Sequence, residues 1–143
     1  MRKLKIKCSK TALLTVTRSK QWRPRMVYIL AANKFFKYKS GYWSRIIYIG
    51  TTGKGAGRPA TSAVNKASQA FGKLYGVKTI EVHIATCGGH KPLKTWKLLE
   101  SALIHTFFTR YFRLPEYNKA KPKHKDGLFS GKALESLIRQ FER

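Results

Sequence analysis

The sequence predicts an α+β domain in which a small mixed sheet carries helices on one or both sides. Two segments, 27–30 and 46–49, are rich in the β-branched and aromatic residues that favour strands. Three later segments place apolar residues at helical spacing. With 143 residues and a hydrophobic share of 43%, the chain can bury one core, so we expect a single folded domain.

The first 25 residues form a basic extension that contains nine lysines and arginines. Between positions 3 and 8, apolar residues alternate with lysines, a pattern typical of a half-buried strand. The same segment also fits an arm that contacts DNA, and the sequence leaves both alternatives open. We therefore divide the chain into an N-terminal extension, 1–25, and a folded domain, 26–143.

The two strand segments are expected to pair. A simple hairpin centred near Tyr38 would set Tyr28 opposite Tyr48, but Ser40-Gly41 is a turn signal that shifts this register. A bulge or an extra hairpin is therefore expected between the strands. The connection also carries aromatic rings among basic residues, which either stack on bases or pack on the sheet. These rings belong to Tyr38, Tyr42 and Trp43.

The remaining elements follow from proline and glycine positions and from apolar spacing. Pro59 suits the first turn of a helix that runs to about Leu74, and residues 78–86 alternate like a third strand. Pro92 begins a second helix that reaches about Phe112, and a final amphipathic helix begins near Ser130. The predicted order, including a strand in the extension, is β-β-β-α-β-α-loop-α.

The charge of the chain indicates its partner. Thirty basic and 6 acidic residues give a net charge of +24, which favours nucleic acid because phosphate neutralisation releases counterions. The sequence has no apolar run that could span a bilayer, so we expect no membrane partner. Two distant cysteines and the lack of an apolar signal core predict a cytoplasmic protein.

Two basic segments are candidates for contact with backbone phosphate. Lys54 lies in a Gly-rich loop that lacks the spacing and the terminal Lys-Ser/Thr of a nucleotide-binding loop, so we expect no nucleotide cofactor. The second segment is a lysine-rich loop that is either solvated or clamps the DNA backbone, and its position favours the clamp. Its lysines are Lys119, Lys121, Lys123 and Lys125.

Glu100 is an acid inside an apolar helical segment, where it shares a side with Trp96, Leu103 and Phe107. A half-buried carboxylate is costly unless a cation pairs with it. Its partner is either one of the many basic side chains or a metal ion with its substrate. A single carboxylate can hold Mg²⁺, which keeps several waters and takes substrate phosphate as a ligand.

Phosphodiester hydrolysis needs an activated water, a cation at the phosphate and a way to stabilise the developing charge. A tyrosine hydroxyl can orient or help deprotonate water, and arginine offers a planar fork for phosphate oxygens. Tyr28, Tyr48, Arg58 and Glu100 provide these groups in the order strand, strand, helix start, helix. Together they suggest a phosphodiesterase site.

This set of residues resembles the GIY-YIG nuclease family. Val27-Tyr28 matches the second and third positions of the first family motif, with Met26 where the family usually has glycine. Tyr48-Ile49-Gly50 matches the second motif in full, and Arg58 matches the family arginine in type and distance. The resemblance spans residues 26 to 118.

Two further positions extend the resemblance. Glu100 matches the metal-binding glutamate of the family, and Asn118 matches an asparagine that often follows that helix. The resemblance implies a compact α+β domain around a three-stranded antiparallel sheet, with one Mg²⁺ or Mn²⁺ per active site. It also implies that Tyr28 and Tyr48 orient or activate water and that Arg58 grips the phosphate. Glu100 would hold the metal, and Asn118 would support the site.

The leading hypothesis is therefore a metal-dependent DNA endonuclease. Small size and the lack of an appended recognition domain favour a standalone restriction-type or phage-encoded enzyme, with homing and repair roles left open. Cutting both strands of a symmetric site would favour a homodimer on DNA. The alternatives are a non-enzymatic nucleic-acid-binding protein on the same scaffold and a ribosome-associated RNA binder.

Overall fold

The computed structural model describes residues 3–17, 19–20, 23–55, 57–74, 76–89, 93–123 and 127–143. These residues contain three strands and three helices, all after position 25. The strands are β1 (Met26–Lys37), β2 (Trp43–Thr52) and β3 (Ile80–Ala85). The helices are α1 (Gly57–Lys73), α2 (Thr95–Tyr111) and α3 (Gly131–Arg139).

The three strands form one antiparallel sheet in the order β2-β1-β3. The predicted α+β class, with a three-stranded antiparallel sheet and a C-terminal helix, is confirmed. The mixed sheet expected from the element order is wrong, because both strand pairs are antiparallel. Strand β1 is central, and its first seven residues are buried, which explains their continuous apolar run.

Alternate residues of β1 face two hydrophobic clusters on opposite sides of the sheet. Val27 and Ile29 pack with residues of α2 and α3, whereas Tyr28 and Leu30 pack with residues of α1. The sheet is therefore covered by α1 on one face and by α2 and α3 on the other. Tyr28 lies on the α1 face.

The basic extension forms no strand over the residues that the structure describes. Residues 3–17 have no regular secondary structure, and Leu4 and Ile6 are 92% and 95% exposed. The predicted half-buried strand is therefore wrong, because an alternating segment becomes a strand only where a neighbouring strand pairs with it. The alternative, an arm that contacts DNA, stays a prediction.

The predicted turn at Ser40-Gly41 is present between β1 and β2. Gly41 has a φ of 91°, which a residue with a side chain rarely adopts. The backbone N–H of Tyr38 donates to the carbonyl of Tyr42, and the N–H of Gly41 donates to the carbonyl of Tyr38, both at 2.9 Å. These bonds close the hairpin.

The expected irregularity in register is also present. Leu30 pairs with Tyr48, but the next residue of β1, Ala31, pairs with Ile46. Strand β2 therefore holds one extra residue, Ile47, as a bulge. A second register shift lies between Ala31 and Phe36, and with both shifts Tyr28 pairs with Gly50 and lies two positions away from Tyr48.

The helices begin close to the predicted positions. Pro59 lies in the first turn of α1, and α3 begins directly after Ser130, whose Oγ accepts a hydrogen bond from the N–H of Ala133 at 3.3 Å. Pro92, the predicted start of the second helix, lies outside the described residues, and α2 starts at Thr95. No helix in the described part of the chain is long and apolar enough to cross a membrane.

Candidate active site

The two motif tyrosines lie side by side on the α1 face of the sheet. Tyr28 pairs with Gly50, and Tyr48 is two residues before Gly50, so both tyrosines point to the same side. Their ring centroids are 6.0 Å apart, with the ring planes tilted by 38°. Tyr28 is fully buried, whereas Tyr48 is half-buried.

Gly50 makes this arrangement sterically feasible. A Cβ atom at position 50 would lie 2.6 Å from Cζ of Tyr28 and 2.7 Å from Cε1 of Tyr48. Both distances are far below a van der Waals contact. The glycine of the second motif is therefore required by the close approach of the two rings.

Helix α1 fixes the hydroxyl of Tyr28. The Tyr28 hydroxyl and Oγ of Ser62 are hydrogen-bonded at 2.8 Å, on a helix face that also carries Arg58 one turn earlier. The sequence patterns did not single out Ser62. The four-residue spacing from Arg58 was the signal that could have identified it.

Lys66 continues the same face of α1 by one more turn. Its Nζ lies 5.0 Å from the centroid of the Tyr48 ring and 5.8 Å from that of the Tyr117 ring, so the lysine is held between two aromatic groups. Lys66 is half-buried, unlike the exposed lysines of the loops. The sequence patterns did not single out this residue either, although it follows Arg58 by eight positions.

Glu100 approaches the tyrosines from helix α2. Leu99 and Leu103 anchor this part of the helix in the core. Burial raises the pKa of the Glu100 carboxyl above its ordinary value, and the nearby cations Arg58 and Lys97 oppose this rise. The carboxylate therefore lies in a partly desolvated position with positive charge close to it.

The other acids of the chain show how unusual Glu100 is. Among the residues that the structure describes, Glu100 is the one acid that forms no ion pair, so the salt bridge that the sequence left open as an alternative is absent there. The sixth acid, Asp126, lies outside the described residues. The remaining acids bind arginines at 2.6–3.2 Å: Glu81 with Arg45, Glu116 with Arg113, and Glu135 and Glu142 with Arg110.

The electrostatics of Tyr48 show that these side chains are close together. Burial raises the pKa of the Tyr48 hydroxyl most, and the neighbouring Tyr28 hydroxyl and the carboxylate of Glu100 raise it further. Arg58 lowers the same pKa. Tyr28, Tyr48, Arg58 and Glu100 therefore form one electrostatic group, in which Tyr48 is a neutral phenol at physiological pH.

Asn118 supports this group through the backbone of β2. Its Oδ1 accepts a hydrogen bond from the N–H of Ile49, and its Nδ2 donates to the carbonyl of Ile49, both at 2.9 Å. The N–H of Tyr117 also donates to the carbonyl of Ile47, at 2.9 Å. The loop thus pairs with the free edge of β2 between Tyr48 and Gly50, where it holds the motif in place.

The loop after β2 packs against the start of α2. A Cβ atom at Gly53 would lie 3.7 Å from the Trp96 ring, and the guanidinium of Arg25 lies 4.9 Å from the centroid of that ring. Trp96 is one helical turn before Glu100. This contact links the second motif to the helix that carries the acid.

A single divalent cation fits the available donors. No group of three or more His, Cys, Asp or Glu side chains that could hold a metal occurs in the described parts of the chain. Glu100 could hold one divalent cation with its single carboxylate, which would leave the other positions to water and phosphate oxygen, as Mg²⁺ prefers. Its lack of an ion pair leaves both carboxylate oxygens available.

The structure places the predicted phosphate-binding lysines on the surface. Lys54, Lys119, Lys121 and Lys123 are exposed or partly exposed, and Lys125 lies outside the described residues. The Nζ of Lys121 lies 4.2 Å from the centroid of the Phe108 ring, so this loop folds back towards α2. Lys54 directly follows Gly53, beside the candidate site.

The hairpin rings divide between the two predicted environments. Tyr38 is only 7% exposed and packs against Phe107 and Tyr111, so it is a core residue. Tyr42 is 46% exposed, with the guanidinium of Arg110 4.0 Å from its ring centroid. Base stacking therefore stays a prediction for Tyr42 and for Trp43, not for Tyr38.

Comparisons with known proteins leave the function to be argued from this geometry. No protein-family model, curated protein or solved structure matches the chain.

Proposed function

We propose that this protein is a metal-dependent DNA endonuclease of the GIY-YIG type. The observation that carries the proposal is the unpaired, half-buried Glu100 beside Arg58 and Tyr48. In a chain with 30 basic residues, a carboxylate without an ion pair is readily explained by a ligand that requires it. A metal ion that carries a phosphate group meets this requirement.

Arg58 supplies the phosphate contact in this proposal. It lies exposed in the first turn of α1, close enough to the carboxylate of Glu100 to lower its pKa. A guanidinium can bind two phosphate oxygens at once and balance the charge that develops during attack on phosphorus. The partial positive charge of the α1 N-terminus acts in the same direction.

Tyr48 orients the attacking water. Burial and the neighbouring Tyr28 keep the Tyr48 phenol protonated, and the Tyr28 hydroxyl in turn bonds Ser62. The remaining lone pair of the Tyr48 oxygen is then free to accept a hydrogen bond from water. The water oxygen bonds to phosphorus and gives up a proton to solvent, while the bond from phosphorus to the leaving sugar oxygen breaks and that oxygen takes up a proton from solvent.

Glu100 would hold one Mg²⁺ or Mn²⁺ in each active site. When bound, this ion would supply charge stabilisation at the phosphate and lower the pKa of a coordinated water. Asn118 acts as a positioning residue, because it fixes the backbone between Tyr48 and Gly50. Within this proposal the enzyme is a restriction-type or phage-encoded nuclease that acts in the cytoplasm.

A plasmid assay tests the proposal. Supercoiled DNA incubated with the protein and Mg²⁺ should be nicked or linearised, and a chelator should prevent this. Discrete fragments would indicate cutting at a specific site, and a smear would indicate a non-specific nuclease. Retained DNA binding without cleavage in either Mg²⁺ or Mn²⁺ would favour the alternative, a non-enzymatic nucleic-acid-binding protein. In that protein the same 30 basic residues would serve binding alone.

A further inference from the structure

The outer edge of β3 is open. β3 is the last strand of the sheet and pairs with β1 on one side. In the described ranges, no other backbone hydrogen bond reaches residues 80–85. An edge strand of this kind presents unpaired N–H and C=O groups that can add another strand.

The charge distribution singles out this edge. Residues 79–89 contain no lysine or arginine, although the chain has 30 of them. Edge strands are commonly protected from association by lysine. This chain is rich in lysine, yet β3 carries none, so the edge lacks that protection. Two copies that each carry a charge of +24 repel one another least along a strand that has no cation of its own, and the Arg45 guanidinium that reaches β3 is paired with Glu81 at 2.8 Å.

We propose that β3 pairs antiparallel with β3 of a second copy of this chain. The two-fold axis lies at Val82, so that Val82 of one copy faces Val82 of the other. The two three-stranded sheets then join into a single six-stranded sheet. This inference goes beyond the proposed nuclease function and does not depend on it. It also gives a homodimer its interface.

The side of β3 that faces α1 is apolar. Ile80, Val82 and Ile84 alternate along this side, and Val82 is 40% exposed. In the proposed register, Ile80 lies opposite Ile84 of the second copy, so that six β-branched side chains form one row. Cross-strand pairs of this kind stabilise antiparallel sheets.

The same row borders a groove of about 710 Å³ between α1 and β3. Val64 and Phe71 of α1 line it and are 45% and 42% exposed. Residues 12–17 of the extension also line this groove, but they form no strand with β3. That segment is the competing occupant of the edge.

The opposite side of β3 carries a complementary polar pair. Nε2 of His83 is buried and has no hydrogen-bond partner among the described residues, and Oε1 of Glu81 lies 3.8 Å away. With Val82 on the axis, Glu81 of each copy lies opposite His83 of the other. Glu81 is already paired with Arg45 at 2.8 Å, so each copy presents a neutralised carboxylate to the other at these positions.

The oligomeric state of the full chain, stripped of nucleic acid in high salt, tests this inference. Sedimentation equilibrium over a range of protein concentrations should show a reversible dimer. Val82→Lys should weaken dimerisation at least tenfold, because two lysines would meet at the axis. Leu128→Lys, at a residue that is 44% exposed in the loop before α3, is the matched control and should dimerise like the parent.

A cysteine experiment tests the register even where Val82→Lys fails to fold. In a background with Cys8→Ser and Cys87→Ser, Val82→Cys should oxidise to a disulfide-linked dimer. Residues that face each other across antiparallel strands have Cα atoms about 4.5–5.5 Å apart, which suits a disulfide. Thr86→Cys should not crosslink, because it lies four residues from the axis.

A parent that is monomeric at all concentrations would overturn the inference, and so would equal crosslinking at positions 82 and 86. Hydrogen exchange identifies the competing occupant. A monomer whose β3 amides are fully protected would show that residues 12–17 of the same chain cover the edge, which also overturns the dimer.

Discussion

Gly50 lies directly opposite Tyr28 in the β1–β2 pair, and the Tyr28 ring fills the space that a side chain at position 50 would need. The same glycine also accommodates the ring of Tyr48, which lies two residues earlier on β2. The backbone of β2, the buried tyrosine and the half-exposed tyrosine therefore act as one packed unit. The candidate site depends on this packing before any chemistry takes place.

Gly50→Ala should destabilise the protein by about 1–3 kcal/mol, because its methyl group would overlap a fully buried ring. Equilibrium unfolding in denaturant measures this change. Gly53→Ala is the control, since a Cβ there would lie 3.7 Å from Trp96, an ordinary contact distance. Equal stabilities of the two variants would contradict the packing described above.

Tyr48→Phe should lower the cleavage rate by roughly 10²–10⁴-fold, the range for loss of a group that transfers or orients a proton. Its melting temperature should be nearly unchanged, because Tyr48 is half-exposed and the ring is kept. Arg58→Ala should behave in the same way, since this arginine is exposed. Tyr38→Phe, in the core, should cleave at the parental rate. Parental cleavage by Tyr48→Phe would remove Tyr48 from the mechanism.

Glu100→Gln should abolish Mg²⁺-dependent cleavage and leave DNA binding intact or tighter. The amide keeps the shape of the side chain but removes the charge that would hold the metal and repel phosphate. Cleavage and gel-shift assays on one preparation measure both effects. Robust Mg²⁺-dependent cleavage by this variant would exclude a metal-binding role for Glu100.

Glu100→Gln should also be more stable than the parent at neutral pH. The pKa of Glu100 is raised in the folded protein, so ionisation disfavours folding, and parental stability falls as the pH rises from the ordinary value of 4.5 through the folded pKa. The advantage of the variant should therefore vanish below pH 4.5. Thermal melts across this range measure it.

Glu142→Gln provides a control of opposite sign. Hydrogen bonds from Arg110 hold the pKa of Glu142 below its ordinary value, so its stabilising effect is present at neutral pH and lost as the pH falls. This variant should be less stable than the parent at neutral pH. A shift in the same direction for both variants would contradict the assigned environments.

Replacing the four loop lysines, Lys119, Lys121, Lys123 and Lys125, with alanine should weaken binding to all DNA duplexes alike. The slope of log affinity against log salt should flatten by roughly 0.9 for each phosphate that the variant no longer neutralises. The matched variant replaces Lys3, Lys5, Lys7 and Lys10, which tests the extension as a DNA-contacting arm. An unchanged slope in the loop variant would show that the loop is only solvated.

The sequence predicted the elements that depend on local preferences. Pro59 and Ser130 marked helix starts, Ser40-Gly41 marked the turn, and β-branched runs marked all three strands of the sheet. Such signals act over a few residues, so they are visible in the chain itself. The alternating segment near Leu4 failed as a strand because pairing requires a partner, which a local pattern does not specify.

The candidate site shows the same division. Residue type, order and family resemblance selected Tyr28, Tyr48, Arg58 and Glu100 from the sequence. The bulge at Ile47 and the steric need for Gly50 came only from the folded chain. So did the hydrogen bond of Ser62 and the contact of Lys66 with Tyr48.

The sequence by itself determined the basic charge, the order of elements after position 25 and the groups available for chemistry. The tertiary structure alone decided which acids receive an arginine and that Glu100, among the described acids, receives none. Ion pairs join residues that are up to 36 positions apart in the chain. Which charged residues pair therefore depends on the packing of the whole domain, because no local pattern fixes which distant side chains meet.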